Sequence, residues 1–242
     1  MNIIKVSNYT TMSTKAKEIV LDRISDFSDI ALALPTGNTP EMLYSLLVDE
    51  HRKGRASFKD AVTFNLDEYV GLSPDHPMSY SYYTKNHFLK HVDVKRSYIP
   101  DGSAMDLEEE CTEYEDRIRE EGGIDLAILG IGRNGHIAFN EPGTSFDSLT
   151  HVVELSEDTI RANARFFSKE AEVPKRAITM GIKTIMGARE IILMASGKEK
   201  ADAVKKAVLG KINEDVPASA LQDHGRCTMI LDSDASSSLK NW

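Results

Sequence analysis

The sequence predicts an α/β fold: one domain built on a mainly parallel sheet with helices on both faces. Three observations carry this. Apolar runs of strand length alternate with stretches of helical period. Several of those runs, IALAL at 30–34 and IDLAIL at 124–129 among them, are apolar almost throughout, as a strand buried on both faces requires. No internal repeat, low-complexity segment or linker rich in Pro, Gly or Ser interrupts the 242 residues, so a single domain over 1–242 is the economical reading.

The elements follow in order. Ile3–Val6 reads as a short strand, and Thr10–Ile24 as a helix with Ala16, Ile19, Val20 and Ile24 at helical spacing. Strand Ile30–Leu34 leads through Pro35-Thr36-Gly37-Asn38-Thr39-Pro40 into a helix over Glu41–Arg52. Val62–Leu66 is a strand that ends at Asp67. Ser79–Val92 and Asp106–Glu120 have helical period, the second with an acidic outer face. Strand Ile124–Leu129 runs into Gly130-Ile131-Gly132-Arg133-Asn134-Gly135. Val152–Leu155, Ile178–Met180, Ile191–Ala195 and Thr228–Leu231 are further strands, separated by helices near Asp158–Asn163, Lys183–Ala188 and Lys198–Val208.

Composition excludes several classes. Hydrophobic residues at 41% and charged residues at 28% give an ordinary globular balance. No run approaches the roughly 18 apolar residues of a spanning helix, so no membrane contact is expected. MNIIKVSNYT lacks the basic and apolar regions of a signal peptide. Lys and Arg number 29 against 38 Asp and Glu, a net charge of −9, so no nucleic-acid partner is expected. Cys111 and Cys227 are too few for a disulfide scaffold or a cysteine-built zinc site. A reduced, cytoplasmic protein acting on a small molecule, as a monomer or small homo-oligomer, is the expectation.

Ligands of open parallel sheets sit outside the carboxyl ends of the strands, and three unusual segments fall there. In Leu34–Pro40, a tight loop into a helix start offers backbone N–H groups and partial positive charge to an anion such as phosphate. The plainer alternative is that Thr39 caps the helix and the loop only turns the chain. It is not a P-loop, because the Gly-Lys-Ser/Thr ending is missing. In Asn65-Leu66-Asp67-Glu68-Tyr69, adjacent acids after a buried strand suit a catalytic base. Alternatively, Asp67 caps the next element and Glu68 is solvated.

The third segment, Gly130–Pro142, opens like a dinucleotide fingerprint, and Glu154 stands about where a ribose-binding acid would. Pro142 would break the required helix, and this is not the first strand–helix unit, which argues against a nicotinamide cofactor. What remains is a polar loop around His136, with Asn134, Asn140 and Glu141 close by: a proton shuttle, or a structural histidine in a turn. The other histidines show no partnered metal spacing; His87 and His91 read as a solvated helix face. Arg161, Arg165, Lys198 and Lys200 could each clamp a phosphate, or be surface charges.

Taken together, LPTGNTPEMLY (34–44), FNLDEYVGL (64–72), GIGRNGHIAFNEPGTSF (130–146), TIRANARFF (159–167) and ASALQDH (218–224) resemble the glucosamine-6-phosphate deaminase family, in its short form, over essentially the whole chain. Phosphogluconolactonases are relatives that share the fold but not both the NLDEY and HIAFNEP strings. The resemblance implies a modified Rossmann-type sheet and conversion of glucosamine 6-phosphate and water to fructose 6-phosphate and ammonia. It implies no metal and no organic cofactor. Asp67 would be the base of the isomerisation, and Asn134, His136 and Glu141 the ring-opening group. Thr36, Gly37, Thr39, Arg165 and Lys200 would line the phosphate pocket. Many members carry Asp where this chain has Asn134, so Glu141 alone would supply the charge that supports His136. Two other readings stay open: a sugar-phosphate lactonase or isomerase on the same fold, and a non-catalytic sugar-phosphate-sensing domain. Against the second, the chain lacks a helix-turn-helix module and has a net charge of −9.

Overall fold

The structure, a computed structural model, describes residues 1–27, 29–164, 167 and 173–239. Seven strands form one parallel sheet: β1 (Asn2–Lys5), β2 (Ala31–Leu34), β3 (Val62–Asn65), β5 (Arg96–Tyr98), β6 (Leu126–Leu129), β9 (Glu190–Ala195) and β10 (Cys227–Leu231). Their order across the sheet is β1-β10-β9-β6-β2-β3-β5, every pair parallel.

Successive residues of a strand point to opposite faces, and the two cores follow that alternation. Leu32, Leu34, Leu126, Ile128, Ile192 and Met194 face helices α1 (Tyr9–Asp26) and α2 (Glu41–Arg52), which contribute Met12, Ala16, Leu43, Tyr44 and Leu47. Ala33, Phe64, Ala127, Leu129, Ile191 and Leu193 face α4 (Leu107–Glu120), α6 (Ile182–Met186) and α7 (Ala201–Leu209), through Tyr114, Ile185, Ala203 and Val204. The expected parallel sheet with helices on both faces is thus observed. Among the described residues, no helix is long and apolar enough to cross a membrane.

Several boundaries differ from expectation. The run over Ser79–Val92 is not one helix: α3 (Tyr80–His87), capped by Ser79, gives way to a 3-10 turn at Leu89–His91. The run over Lys198–Val208 likewise divides into a 3-10 turn and α7. β5 was not foreseen. Arg-Ser-Tyr is too short and polar to signal a strand, and it is held at the sheet edge by its ladder to β3 and by Tyr98 stacked 5.1 Å from Phe64.

The larger correction concerns β4 (Asp67–Tyr69), β7 (His151–Glu154) and β8 (Arg176–Thr179), which form a separate antiparallel sheet in the order β4-β8-β7. The chain leaves the main sheet at Leu66, whose N–H still reaches Leu34 O at 3.1 Å while its carbonyl accepts the Met180 N–H at 2.7 Å. Asp67 then pairs with Thr179. Helix α5 (Glu157–Ala164) stands between β7 and β8 in sequence.

Candidate active site

From β2 the chain builds outward through β3 to β5, then returns to lay β6 on the other side of β2. The two loops that leave β2 and β6 therefore diverge, opening a crevice at the point where strand order reverses. Four neighbouring strands deliver the candidate residues to this edge: β9 the Lys200 turn, β6 the His136 loop, β2 the Thr36–Thr39 loop and β3 Asp67.

After β2, Gly37 takes φ 88, a left-handed conformation that favours glycine, although nothing lies within 4 Å of where a Cβ would stand. Thr39 is not the helix cap: Pro40 occupies that position and supplies no side-chain bond. The N–H groups of Thr36, Gly37, Asn38 and Thr39 donate to no other described residue, so these donors remain available to an anion.

Asp67 is buried, and so is Glu68, which overturns the alternative of a solvated Glu68. The Glu68 carboxylate accepts the N–H groups of Tyr69 (2.8 Å), Tyr80 (2.8 Å) and Ser81 (2.7 Å), and so anchors the first turn of α3. Among the described residues, Asp67 has no such donors. Burial, with the neighbouring Glu68 charge adding to it, pushes its carboxyl up to about 8. Tyr69, Tyr80 and Phe139 pack together beside it, with centroids 4.8 Å (Tyr69–Tyr80) and 5.6 Å (Tyr69–Phe139) apart.

After β6, the glycines serve the histidine and not a pyrophosphate. A Cβ on Gly132 would lie 2.3–2.5 Å from three atoms of the His136 ring, so the imidazole packs directly on the backbone there. Glu154, the would-be ribose acid, is the exposed end of the half-buried strand β7 in the small sheet. Ala138 at φ 51 makes a tight turn that brings the Asn140 N–H to Ile137 O at 3.1 Å. Such a conformation costs about 1–2 kcal/mol for a residue with a Cβ, and tight packing around the turn holds it in place. Asn140, fully buried, donates to Ile137 O (2.9 Å) and Met180 O (2.8 Å), while the Phe139 N–H reaches Thr179 Oγ1 at 3.0 Å. The end of β8 thereby ties this loop to the strand that carries Asp67.

Glu141 is the charged centre of the loop. It accepts from Asn134 Nδ2 at 2.7 Å, from the Ser156 hydroxyl at 3.2 Å, and closely from the Thr159 hydroxyl. His136 Nδ1 lies 3.7 Å from Glu141 Oε2 and has no hydrogen-bond partner among the described residues. Burial works against the carboxylate, but the His136 imidazole, Thr159 and Asn134 outweigh it and hold Glu141 at about 2. The Asn134 amide works in both directions, since its Oδ1 also accepts the His136 N–H at 3.2 Å. The loop after β6 thus holds an ionised acid beside a histidine, and the strand that follows β3 holds a carboxyl whose basicity is raised. That is an acid–base set with its two halves pushed apart.

Lys200 donates to Ile131 O at 2.8 Å, placing its ammonium on the His136 loop. Arg161 forms surface pairs with Asp158 (2.5 Å) and Glu157 (3.5 Å) on α5. Arg165 lies outside the described residues. His87 and His91 contact the Tyr83 carbonyl and Arg52 respectively and form no metal pair. Sequence reasoning missed Ser156, Thr159 and Asp232. Asp232 accepts from Ser196 (2.5 Å) and the Gly197 N–H (3.2 Å), bracing the turn before Lys200. Nothing local marks these residues, because their partners stand far away in sequence.

The family described as glucosamine-6-phosphate isomerases/6-phosphogluconolactonase matches residues 7–230. The chain belongs to this family. Within it, the chain is 50% identical over 239 residues to a glucosamine-6-phosphate deaminase of Thermoanaerobacter sp. (strain X514), covering 98% of this chain and 94% of the relative. A deaminase of the same name from Oceanobacillus iheyensis is 52% identical over 234 residues, covering 96% and 94%. A solved monomeric glucosamine-6-phosphate deaminase superposes with a TM-score of 0.96 at 48% identity, covering 98% of this chain and 100% of that one. The 6-phosphogluconolactonase of Trypanosoma cruzi, at 23% identity and a TM-score of 0.78, shares the family's fold.

Proposed function

We propose that the protein is a glucosamine-6-phosphate deaminase, converting glucosamine 6-phosphate and water to fructose 6-phosphate and ammonia in amino-sugar catabolism. One observation carries this beyond the relatives' names. An ionised Glu141 beside His136, after β6, and a carboxyl of raised basicity at Asp67, after β3, stand on either side of β2, as a reaction with two separate proton transfers needs.

The closed pyranose has no carbonyl to enolise. His136 takes the anomeric O–H proton and returns it to the ring oxygen, with Glu141 stabilising the imidazolium and Asn134 linking the Glu141 carboxylate to the His136 backbone N–H. In its ionised form Asp67 then removes the C2 proton from the open aldehyde while O1 gains a proton from solvent, leaving an enolamine across C1 and C2; Asp67 delivers its proton to C1 and the amino nitrogen gives one up to solvent. The product is the C2 imine, which water hydrolyses to the ketone and ammonia. A carboxylate whose basicity burial has raised suits this step. Thr36, Gly37, Thr39, Arg165 and Lys200 bind the phosphate, whose interactions orient the sugar far from the reacting carbons. No cofactor takes part, and the enzyme works in the cytoplasm as a monomer or small homo-oligomer.

The test is ammonia release from glucosamine 6-phosphate by the purified chain, with glucosamine as control. Release at equal rates from both would refute a phosphate-reading site. Hydrolysis of 6-phosphogluconolactone without ammonia release would favour the lactonase reading, which needs no base at C2. Lys200→Ala is expected to raise KM by about 10- to 150-fold, the range for a charged hydrogen bond, with kcat little changed. An unchanged KM would remove Lys200 from the pocket.

A further inference from the structure

The loop after β2 is held from outside by phenols. The Tyr44 hydroxyl, from α2, donates to Pro35 O at 2.5 Å. The Tyr83 hydroxyl, from α3, donates to Gly37 O at 2.6 Å. The Tyr9 hydroxyl, from the start of α1, donates to Asn38 O at 2.9 Å and accepts the Met42 N–H at 3.2 Å. Three of the chain's eight tyrosines, one from each of three helices, thus converge on the stretch from Pro35 to Asn38.

A trans peptide is planar, with its carbonyl and the following N–H on opposite sides. Fixing Pro35 O therefore aims the Thr36 N–H away from Tyr44. Fixing Gly37 O and Asn38 O does the same for the N–H groups of Asn38 and Thr39. These are the donors that no described residue accepts. Without the phenols, Gly37 at φ 88 has the freedom to turn its peptide over and present a carbonyl to the anion instead.

We propose that Tyr9, Tyr44 and Tyr83 are positioning residues that hold the β2–α2 loop in its anion-accepting orientation. The inference rests on the reading of this loop as the phosphate site. The phenols never meet the ligand. They fix three carbonyls outward, so that the N–H groups stand ready before a phosphate arrives and the loop loses no further conformational freedom on binding.

Tyr83→Phe is the cleanest variant. Its ring contacts survive, at 6.4 Å to Tyr44 and 4.1 Å to His87, and the freed Gly37 carbonyl lies in a part-buried site. Tyr44 is fully buried, so its loss would also strand Pro35 O; Tyr9→Phe combined with Tyr83→Phe avoids that. The probe is inorganic phosphate, titrated calorimetrically into the full chain, alongside steady-state kinetics on glucosamine 6-phosphate. Each lost phenol is expected to weaken phosphate affinity and raise KM by the same factor, about 2- to 10-fold, with kcat unchanged. Tyr82→Phe, on the same helix, exposed and with no loop contact, should match wild type. Unchanged phosphate affinity and KM in the double variant would overturn the proposal, as would a loss confined to kcat. If the wild type binds phosphate but releases no ammonia, the assigned reaction fails, and the phosphate titrations still decide this inference.

Discussion

Asp67→Asn is expected to lower kcat by about 10²-fold or more while leaving KM within a few-fold of wild type. The side chain is nearly isosteric, so the β4 ladder to Thr179 and the buried setting beside Glu68 should survive. What goes is the lone pair that accepts the C2 proton. Ammonia release and exchange of the C2 hydrogen with solvent deuterium should fall together. Near wild-type exchange would remove Asp67 from the isomerisation.

The same residue ties activity to stability with opposite signs. Its carboxyl is raised from 3.8 to about 8 in the folded chain, so between those values the folded state binds a proton that the unfolded state has released. Stability therefore falls as pH rises through that window, and levels off above about 8. The Asn variant has no charge to bury. Its Tm should exceed that of wild type by a margin that widens from about pH 4 to about pH 8. On the wild-type side, kcat/KM should rise with pH along a limb whose midpoint lies well above the ordinary carboxylate range. A Tm difference independent of pH would mean that Asp67 titrates normally.

Most of the sheet was legible because its central strands are buried on both faces and so are largely apolar, with Thr63 and Asn65 of β3 and Glu190 of β9 as buried polar exceptions. β2, β3, β6 and β9 have no exposed residue. Of the small antiparallel sheet, the strands near 152–155 and 178–180 were legible, but not their separate antiparallel pairing nor the strand Asp67–Tyr69, which reads as polar and is stabilised by β8, more than a hundred residues away. The candidate site stood out as a set of motifs, because each strand-end loop is a continuous stretch of sequence. Its support was hidden. Thr159 holding Glu141, Asp232 bracing Gly197 and Tyr83 pinning Gly37 are contacts between ordinary residues, visible only once the chain is folded. The glycine pattern at 130–135 resembles a dinucleotide fingerprint for a physical reason: tight turns need glycine whatever they cradle, and here Gly132 makes room for the His136 ring.

Glu141→Gln should lower kcat on glucosamine 6-phosphate by about 10²-fold, and more than Asn134→Ala does. Asn134 is a neutral bridge, donating to Glu141 and accepting the His136 N–H, so its loss loosens the group without removing charge. Glu141 is the group's only anion, held ionised down to about 2. Gln keeps an acceptor oxygen for Thr159 and Ser156, so the loop should keep its shape while the imidazolium loses its counter-charge. The loss should therefore fall on whichever step charges His136. If that step is ring opening, a substrate that enters open should escape it. An open-chain analogue, or the reverse reaction from fructose 6-phosphate, whose open-chain fraction is larger, is the comparison to make. Glu141→Gln should then cost several-fold less activity than on the closed pyranose, whereas Asp67→Asn should cost the same on both. Equal losses for Glu141→Gln on both substrates would move Glu141 out of ring opening and into the proton transfer between C2 and C1.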